Sequence, residues 1–416
     1  METKSLKIYP GELNGEIYIT GAKNAVLRHL AASILVDDSI RLNNYPKNML
    51  DVRLHEEMLE QLGKKVTKFG SSAIIEGAVE KSELLWEKRS IRNTLLILGA
   101  LLAKTGYGKV PLPGGCKIGE RKYDIHIGLM EAMGAKVWEE DNYLCAKSEG
   151  RLHGCEYTLP LRSTGATENA LIMGTLAEGV TKLWNPHVRP EIIDLATLLM
   201  ELGAKISING QESITIEGVG KLRSNVSHAI LSDNMQALTY LVMGALAGNE
   251  LYIHNFPFED LYVPLVFLRF SGLKYFRNES DLIVRKCNAY PLDISTGPYP
   301  GINSDMQPIL AAWASMSRGE STITDLRFVG RYGYANEMRR MGVLSEVKDN
   351  KLIIHGGQKI MGNDVTAIDL RAGAALLILS LLAESPTVIK DFWMVERGYD
   401  DVINVLRSIG VNLSCK

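Results

Sequence analysis

The chain is 416 residues long, 46% apolar, and carries a formal net charge of −2 with a sequence pI of about 6.5. That length calls for two or three domains with ample material for packed cores, and the near-neutral charge provides no global pull toward nucleic acid, leaving only local basic patches. Five cysteines (116, 145, 155, 287 and 415) fall without CxxC or Cys/His spacing, so no metal centre is expected and the expected setting is a reducing cytoplasm.

Taken in order, Met1-Glu2-Thr3-Lys4 is followed by no apolar run, so no signal peptide is expected. Thr20-Gly21-Ala22-Lys23-Asn24-Ala25 is a glycine turn opening a helix over residues 25–35. It places Lys23 and Asn24 at a helix N-terminus, where free N–H groups and the dipole favour an anion. A solvated lysine at a helix start is the plain alternative. Residues 93–103 form an apolar run, too short for the roughly 18 residues a membrane span needs, and read as a buried helix.

The loop Val110-Pro111-Leu112-Pro113-Gly114-Gly115-Cys116-Lys117-Ile118-Gly119-Glu120-Arg121 comes next, ahead of a helical pattern marked by Ile127, Met130 and Met133. Two prolines and two glycines set Cys116 on a tight exposed turn, where Lys117 and Arg121 would lower its thiol pKa. A small core residue is the commoner fate of a free cysteine, but a Gly-Gly pair is hard to explain ahead of one.

Further apolar helices are expected over 169–177, 236–247 and 371–383. Between them, Gly297-Pro298-Tyr299-Pro300-Gly301-Ile302-Asn303-Ser304-Asp305-Met306-Gln307 shapes a loop and an Asx or Ser cap. Asp305 then lies in the first turn of a helix, as a dipole partner or a positioned base. Arg331 follows in Val329-Gly330-Arg331-Tyr332. Asp369-Leu370-Arg371 opens the last large helix, and Glu396-Arg397-Gly398-Tyr399 lies in the final loop. Lys23, Arg121, Arg331, Arg371 and Arg397 all occupy glycine-bearing turns or helix starts. Together they suit a small polyanion, since guanidinium forks bind carboxylate and phosphate bidentately. No GxGxxG follows a strand and no GxxxxGK[ST] occurs, which removes dinucleotide and P-loop readings.

A phrase also repeats: an apolar helix ends at a glycine and a strand follows. The glycines are Gly63, Gly134, Gly203, Gly272, Gly342 and Gly410, at intervals of 71, 69, 69, 70 and 68 residues. Such regularity marks a repeated supersecondary unit, with each glycine ending its helix in a left-handed turn. Most copies continue into two strands about a short turn, as in 204–208 with 213–217 and 344–348 with 351–355. Six units suggest two α/β domains of three units each, with helices inside and sheets outside.

These segments together resemble the enolpyruvyl transferase family, most closely the branch acting on UDP-N-acetylglucosamine, over essentially the whole chain. The matching motifs are Gly21-Ala22-Lys23-Asn24, Pro113-Gly114-Gly115-Cys116-Lys117-Ile118-Gly119, Gly165-Ala166-Thr167-Glu168-Asn169, Pro298-Tyr299-Pro300-Gly301 with Asp305-Met306-Gln307, Asp369-Leu370-Arg371-Ala372 and Arg397-Gly398-Tyr399. The resemblance implies a two-domain inside-out α/β barrel, with a first domain over 22–230, a second over 1–21 and 231–416, and the active site between them. It implies enolpyruvyl transfer from phosphoenolpyruvate to the 3-hydroxyl of the sugar by addition and elimination, as the first committed step of peptidoglycan synthesis. No metal or organic cofactor, nucleic acid or membrane enters that reaction.

By the same resemblance, Cys116 would protonate the methylene carbon, Asp305 would take the hydroxyl proton, and Lys23 would serve both catalysis and binding. Phosphoenolpyruvate would lie against Lys23, Arg121, Arg331, Arg371 and Arg397. The acceptor would meet Asn24, Arg92, Arg121, Lys122, Tyr123, Asp124, Ile125, Ser163, Thr164, Gly165, Asp305 and Arg327. The acceptor side departs from the family pattern at Arg28, Lys122, Arg162, Asn234, Gln236 and Gly330, which leaves open another nucleotide or nucleoside acceptor in specialised metabolism, or a non-catalytic binding protein of the family.

Overall fold

The structure is a computed structural model that describes residues 3–114, 123–328 and 330–415. Its described strands form six sheets, and one building plan recurs through them. Glu156–Thr158 runs parallel to Val180–Trp184, which pairs antiparallel with Ser213–Glu217, which pairs antiparallel with Lys205–Asn209. Four other sheets repeat this order of one parallel and two antiparallel pairings. In the sixth, built from Tyr107–Pro111, Tyr143–Ser148 and Ala135–Glu140, the parallel edge is reduced to a bridge between Glu83 and Lys109.

All six repeat glycines have positive φ, from +91° at Gly342 to +104° at Gly63. This is the left-handed conformation that ends a helix and turns the chain into the following hairpin. The expected strands 344–348 and 351–355 are present as Leu344–Lys348 and Lys351–His355, paired antiparallel.

The helices that are buried on nearly every side form the interiors. Lys23–Ala32, Thr94–Thr105 and Thr164–Leu176 pack within a core drawn from residues 22–230. Asn234–Ala247, Gln307–Met316 and Leu370–Leu381 pack within a second core, drawn from residues 6–19 and 235–411. Removing such faces from water is the main favourable term for each core. Sheets and amphipathic helices cover them. No helix among the described residues is long and apolar enough to cross a membrane.

The chain passes between the two cores twice, side by side. Gly21 pairs with Ser232, the Ala22 amide donates to Leu231, and the Asp233 amide donates to Thr20. Asp233 then serves two helices at once. One carboxylate oxygen accepts from Lys23 N at 3.0 Å, and the other accepts from Met235 N and Gln236 N at 2.8 and 2.9 Å. A single carboxylate thus caps the inner helix on each side of the crossing.

Candidate active site

The inner-helix N-termini and the loops beside them carry three of the cations that the sequence singled out. Lys23 opens the Lys23–Ala32 helix, Arg371 lies in the first turn of Leu370–Leu381, and Arg397 follows the short Trp393–Glu396 helix. The structure joins two of them through Asp51, in the first turn of the Leu50–Gln61 helix. Lys23 Nζ lies 2.8 Å from Asp51 Oδ2, and Arg397 Nε lies 2.9 Å from Asp51 Oδ1. Arg397 Nη2 adds a second contact at 3.2 Å. Asp51 is 2% exposed. Burial alone would raise its carboxyl pKa, but the charges of Lys23 and Arg397 outweigh that and hold it below the ordinary value.

Gly398 lets this cluster close. A Cβ there would lie 2.5 Å from Leu370 Cδ1 and 3.4 Å from Lys23 Cδ, so a side chain would push Lys23 and the Leu370–Leu381 helix apart. Arg371 is 1% exposed, its guanidinium 5.3 Å from the centre of the Tyr399 ring. Its Nε and Nη1 have no hydrogen-bond partner. A buried guanidinium with open donors is suited to an anionic partner.

Asp305 and Arg331 form the other part of the site. Asn303 caps the Ser304–Met306 turn by accepting from Asp305 N at 3.0 Å. Arg331 Nη1 lies 2.8 Å from Asp305 Oδ1 and donates to Ser304 Oγ at 2.9 Å. Asp325, fully buried, accepts from the Ser304 and Thr296 hydroxyls, the Gln307 amide and the backbone of Arg327 and Phe328. It fixes the turn on which Asp305 stands.

On the expected acceptor side, Ser163 caps the Thr164–Leu176 helix by accepting from Ala166 N. Thr164 Oγ1 meets His187 Nδ1 at 2.8 Å, and His187 Nε2 accepts from Tyr299 N at 3.3 Å. His187 is pushed down to about 4, first by burial and then by Arg189 and Arg327, so near neutral pH it can accept that amide. Gly165 sits close over His126, whose ring nitrogen a Cβ would meet at 3.0 Å. Arg162 donates to Asn185 Oδ1, and Arg189 holds Glu191 bidentately at 2.6 and 2.7 Å. The Tyr123 hydroxyl donates to Glu139. Asp124 is exposed at the start of the Asp124–Ala132 helix, beside half-buried Ile125. Asn24 and Arg92 are half-buried and Arg327 is exposed. Cys116, Arg121 and Lys122 lie outside the described residues.

Several ties link the parts built around the two cores. Besides Arg397–Asp51, Asn48 N donates to Asp400 Oδ1 at 2.7 Å, and the Arg89 guanidinium lies 3.7 Å from the centre of the Trp393 ring. Lys23 and Arg397 thus meet at Asp51, Arg331 pairs with Asp305, and the Asp305 charge reaches Arg371. Asp51, Arg189, Glu191, His187 and Asp325 were not singled out in the sequence. An acidic residue in a first turn, such as Asp51, reads there only as a dipole partner.

The family model of EPSP synthase (3-phosphoshikimate 1-carboxyvinyltransferase) matches residues 8–406. The chain belongs to the EPSP synthase family of enolpyruvyl transferases. Among its relatives in that family, UDP-N-acetylglucosamine 1-carboxyvinyltransferase 1 of Legionella pneumophila (strain Lens) is 36% identical, over 99% of this chain and 82% of that protein. UDP-N-acetylglucosamine 1-carboxyvinyltransferase of Granulibacter bethesdensis is also 36% identical, over 96% of each chain. The fold of the family is equally plain in solved structures. The enolpyruvyl transferase NikO from Streptomyces tendae superposes with a TM-score of 0.89 at 24% identity, covering 100% of this chain and 99% of that one. EPSP synthase from Acinetobacter baumannii gives 0.74 at 16% identity, covering 99% and 100%. The inside-out arrangement expected from the repeats is thus the architecture of this enolpyruvyl transferase.

Proposed function

We propose that the protein transfers the enolpyruvyl group of phosphoenolpyruvate to the 3-hydroxyl of UDP-N-acetylglucosamine, releasing phosphate. The observation that carries this reading is the set of cations at the inner-helix ends, above all Arg371 with two open, buried donors. The names of the 36%-identical relatives point to the acceptor.

In this reading Lys23, Arg121, Arg331, Arg371 and Arg397 hold the phosphate and carboxylate of phosphoenolpyruvate. Cys116 donates a proton to the methylene carbon while Asp305 takes the proton of the sugar 3-hydroxyl, whose oxygen bonds to the central carbon. The tetrahedral adduct then loses a proton from the methyl carbon and expels inorganic phosphate, leaving the enol ether. Asn24, Arg92, Lys122, Tyr123, Asp124, Ile125, the Ser163–Thr164–Gly165 turn and Arg327 face the acceptor. Residues 22–230 form one domain and residues 1–21 with 231–416 the other, with the reaction between them. Closure of that cleft excludes water from the adduct. A cytoplasmic location belongs to the same reading.

The Cys116 loop favours this branch over the shikimate branch, which resembles the chain in fold but does not carry a Pro-Gly-Gly-Cys loop. A second reading keeps the chemistry and changes the acceptor to another nucleotide or nucleoside. It rests on the altered acceptor-side residues, among them Arg162, tied to Asn185. Incubation with phosphoenolpyruvate and a panel of uridine nucleotides, read by product mass, decides between them. An enolpyruvyl adduct of UDP-N-acetylglucosamine supports the first reading. An adduct only of another nucleotide overturns it in favour of the second.

A further inference from the structure

Away from the substrate-binding groups, three residues distant in sequence converge beside the inner helix that carries Lys23. His29 lies on the Lys23–Ala32 helix, Asp194 on the Pro190–Glu201 helix, and His228 on the Val226–Ala229 strand. Their donor atoms all lie within 4.8 Å of one another. His29 Nε2 is 3.1 Å from Asp194 Oδ2, and His228 Nε2 is 3.3 Å from Asp194 Oδ1. The two imidazoles meet edge to face, centroids 4.9 Å apart.

The first contact is close but lacks hydrogen-bond geometry. Neither ring nitrogen of His29 makes a hydrogen bond, and neither does Asp194 Oδ2, although His29 is wholly buried. Buried polar atoms are nearly always satisfied. An unsatisfied imidazole nitrogen beside an unsatisfied carboxylate oxygen, close but not aligned with each other, leaves both free for a shared partner to one side. A divalent ion would supply it, since donor atoms bound tetrahedrally at about 2.0–2.1 Å lie roughly 3.3 Å apart.

The surroundings fit an ion as well. Glu201 Oε2 lies 2.9 Å from His228 Nδ1. A carboxylate on one ring nitrogen fixes the tautomer and turns the other nitrogen toward a metal. The Asp260 carboxyl is raised to about 6, first by burial and then by Glu191 and Asp194. Asp194 and Glu201 side chains are 10% and 40% exposed, which leaves an entry path from solvent.

We propose that His29, Asp194 and His228 bind a zinc ion, with Glu201 as the outer carboxylate and one position left to water. The ion takes no part in enolpyruvyl transfer. It clamps three pieces that frame the site: the helix opened by Lys23, the helix preceded by Arg189, and the strand that leads to Asp233 at the crossing. Imidazole nitrogens with one carboxylate oxygen suit zinc, and cobalt is a spectroscopic substitute.

The test uses the full chain, stripped with a chelator and titrated with zinc by calorimetry and with cobalt by visible absorption. One equivalent of zinc should bind and raise the melting temperature, and cobalt should develop the strong visible bands of a four-coordinate site. Asp194→Asn should abolish both, and Glu201→Gln should weaken uptake about 10- to 100-fold. Cys116→Ser should leave both unchanged, separating the site from the reactive thiol. Absence of uptake by the wild-type chain, or equal uptake by Asp194→Asn, overturns the proposal and leaves a His–Asp–His cluster that binds no ion. Should Asp194→Asn not fold, the wild-type cobalt spectrum and Glu201→Gln decide, and wild-type affinity in Glu201→Gln counts against the site.

Discussion

Asp51 holds Lys23 and Arg397 together, at 2.8 Å from one and 2.9 Å from the other, although the two cations are separated by most of the chain. One buried carboxylate therefore sets the spacing of two groups that the proposed reaction needs on the same anion. It also links the Leu50–Gln61 helix to the loop after Trp393–Glu396.

Replacing that carboxylate should be costly in two ways. Asp51→Asn leaves two cations near one another without their counter-ion, and breaking a buried pair typically costs about 3–5 kcal/mol. Misplaced Lys23 and Arg397 should also lower kcat/KM by about 10²-fold or more. Denaturant midpoints and steady-state kinetics measure the two effects. Because the Asp51 pKa is lowered in the fold, its contribution is present above the unfolded carboxyl value and is lost as pH falls through the folded one.

Cys116→Ser should reduce turnover by about 10²–10⁴-fold, the usual worth of a positioned general acid. An epoxide phosphonate should alkylate the wild-type thiol, since the cationic cradle would bring its phosphonate alongside. Intact-mass analysis should show one added inhibitor on the wild type and none on Cys116→Ser.

Asp305→Asn should lower kcat by about 10²–10⁴-fold with little change in KM for phosphoenolpyruvate, as expected for loss of a base rather than of a binding contact. Arg331→Gln removes the partner 2.8 Å from that carboxylate. It should raise KM for phosphoenolpyruvate as well as lower kcat.

Asp400 offers a pH test of the crossing region. Its carboxyl is raised to about 6, first by burial and then by Asp401, although Asn48 N donates to it. An acid with a raised folded pKa costs stability as pH climbs from its unfolded value toward the folded one, and the cost is complete above both. Asp400→Asn keeps an acceptor for Asn48 and removes the charge. It should stabilise the protein by on the order of 2 kcal/mol near neutral pH, with the gain vanishing below about pH 4. Melting temperatures across that range read the difference.

Gly342→Ala tests the repeat itself. The residue sits at φ +91°, with Lys359 O 2.9 Å from where a Cβ would stand. The substitution should destabilise by about 1–3 kcal/mol, and Gly220→Ala, where nothing approaches and φ is not positive, should not.

The sixfold glycine rhythm was legible because ending a helix is a local act, written within a few residues. Helix limits were less so. The helix expected over 25–35 ends at Ala32 and tightens into a turn over Ser33–Leu35. The one expected from residue 169 begins at Thr164, where Ser163 caps it, because the polar Thr164–Glu168 turn masks the apolar pattern. Lys23, Arg371, Arg397 and Asp305 were legible as charged groups at helix starts and glycine turns. Asp51 and the His29–Asp194–His228 cluster were not. Their partners come from elements far apart in the chain, and only the packing of inner helices brings them together.

Enolpyruvyl transfer to UDP-N-acetylglucosamine is read most directly by the rate of phosphate release with phosphoenolpyruvate and UDP-N-acetylglucosamine together, compared with each alone. Release should be sustained, need both substrates, saturate in each, and collapse in Cys116→Ser and Asp51→Asn. No release above the single-substrate controls from the folded wild-type protein at millimolar substrate would contradict it.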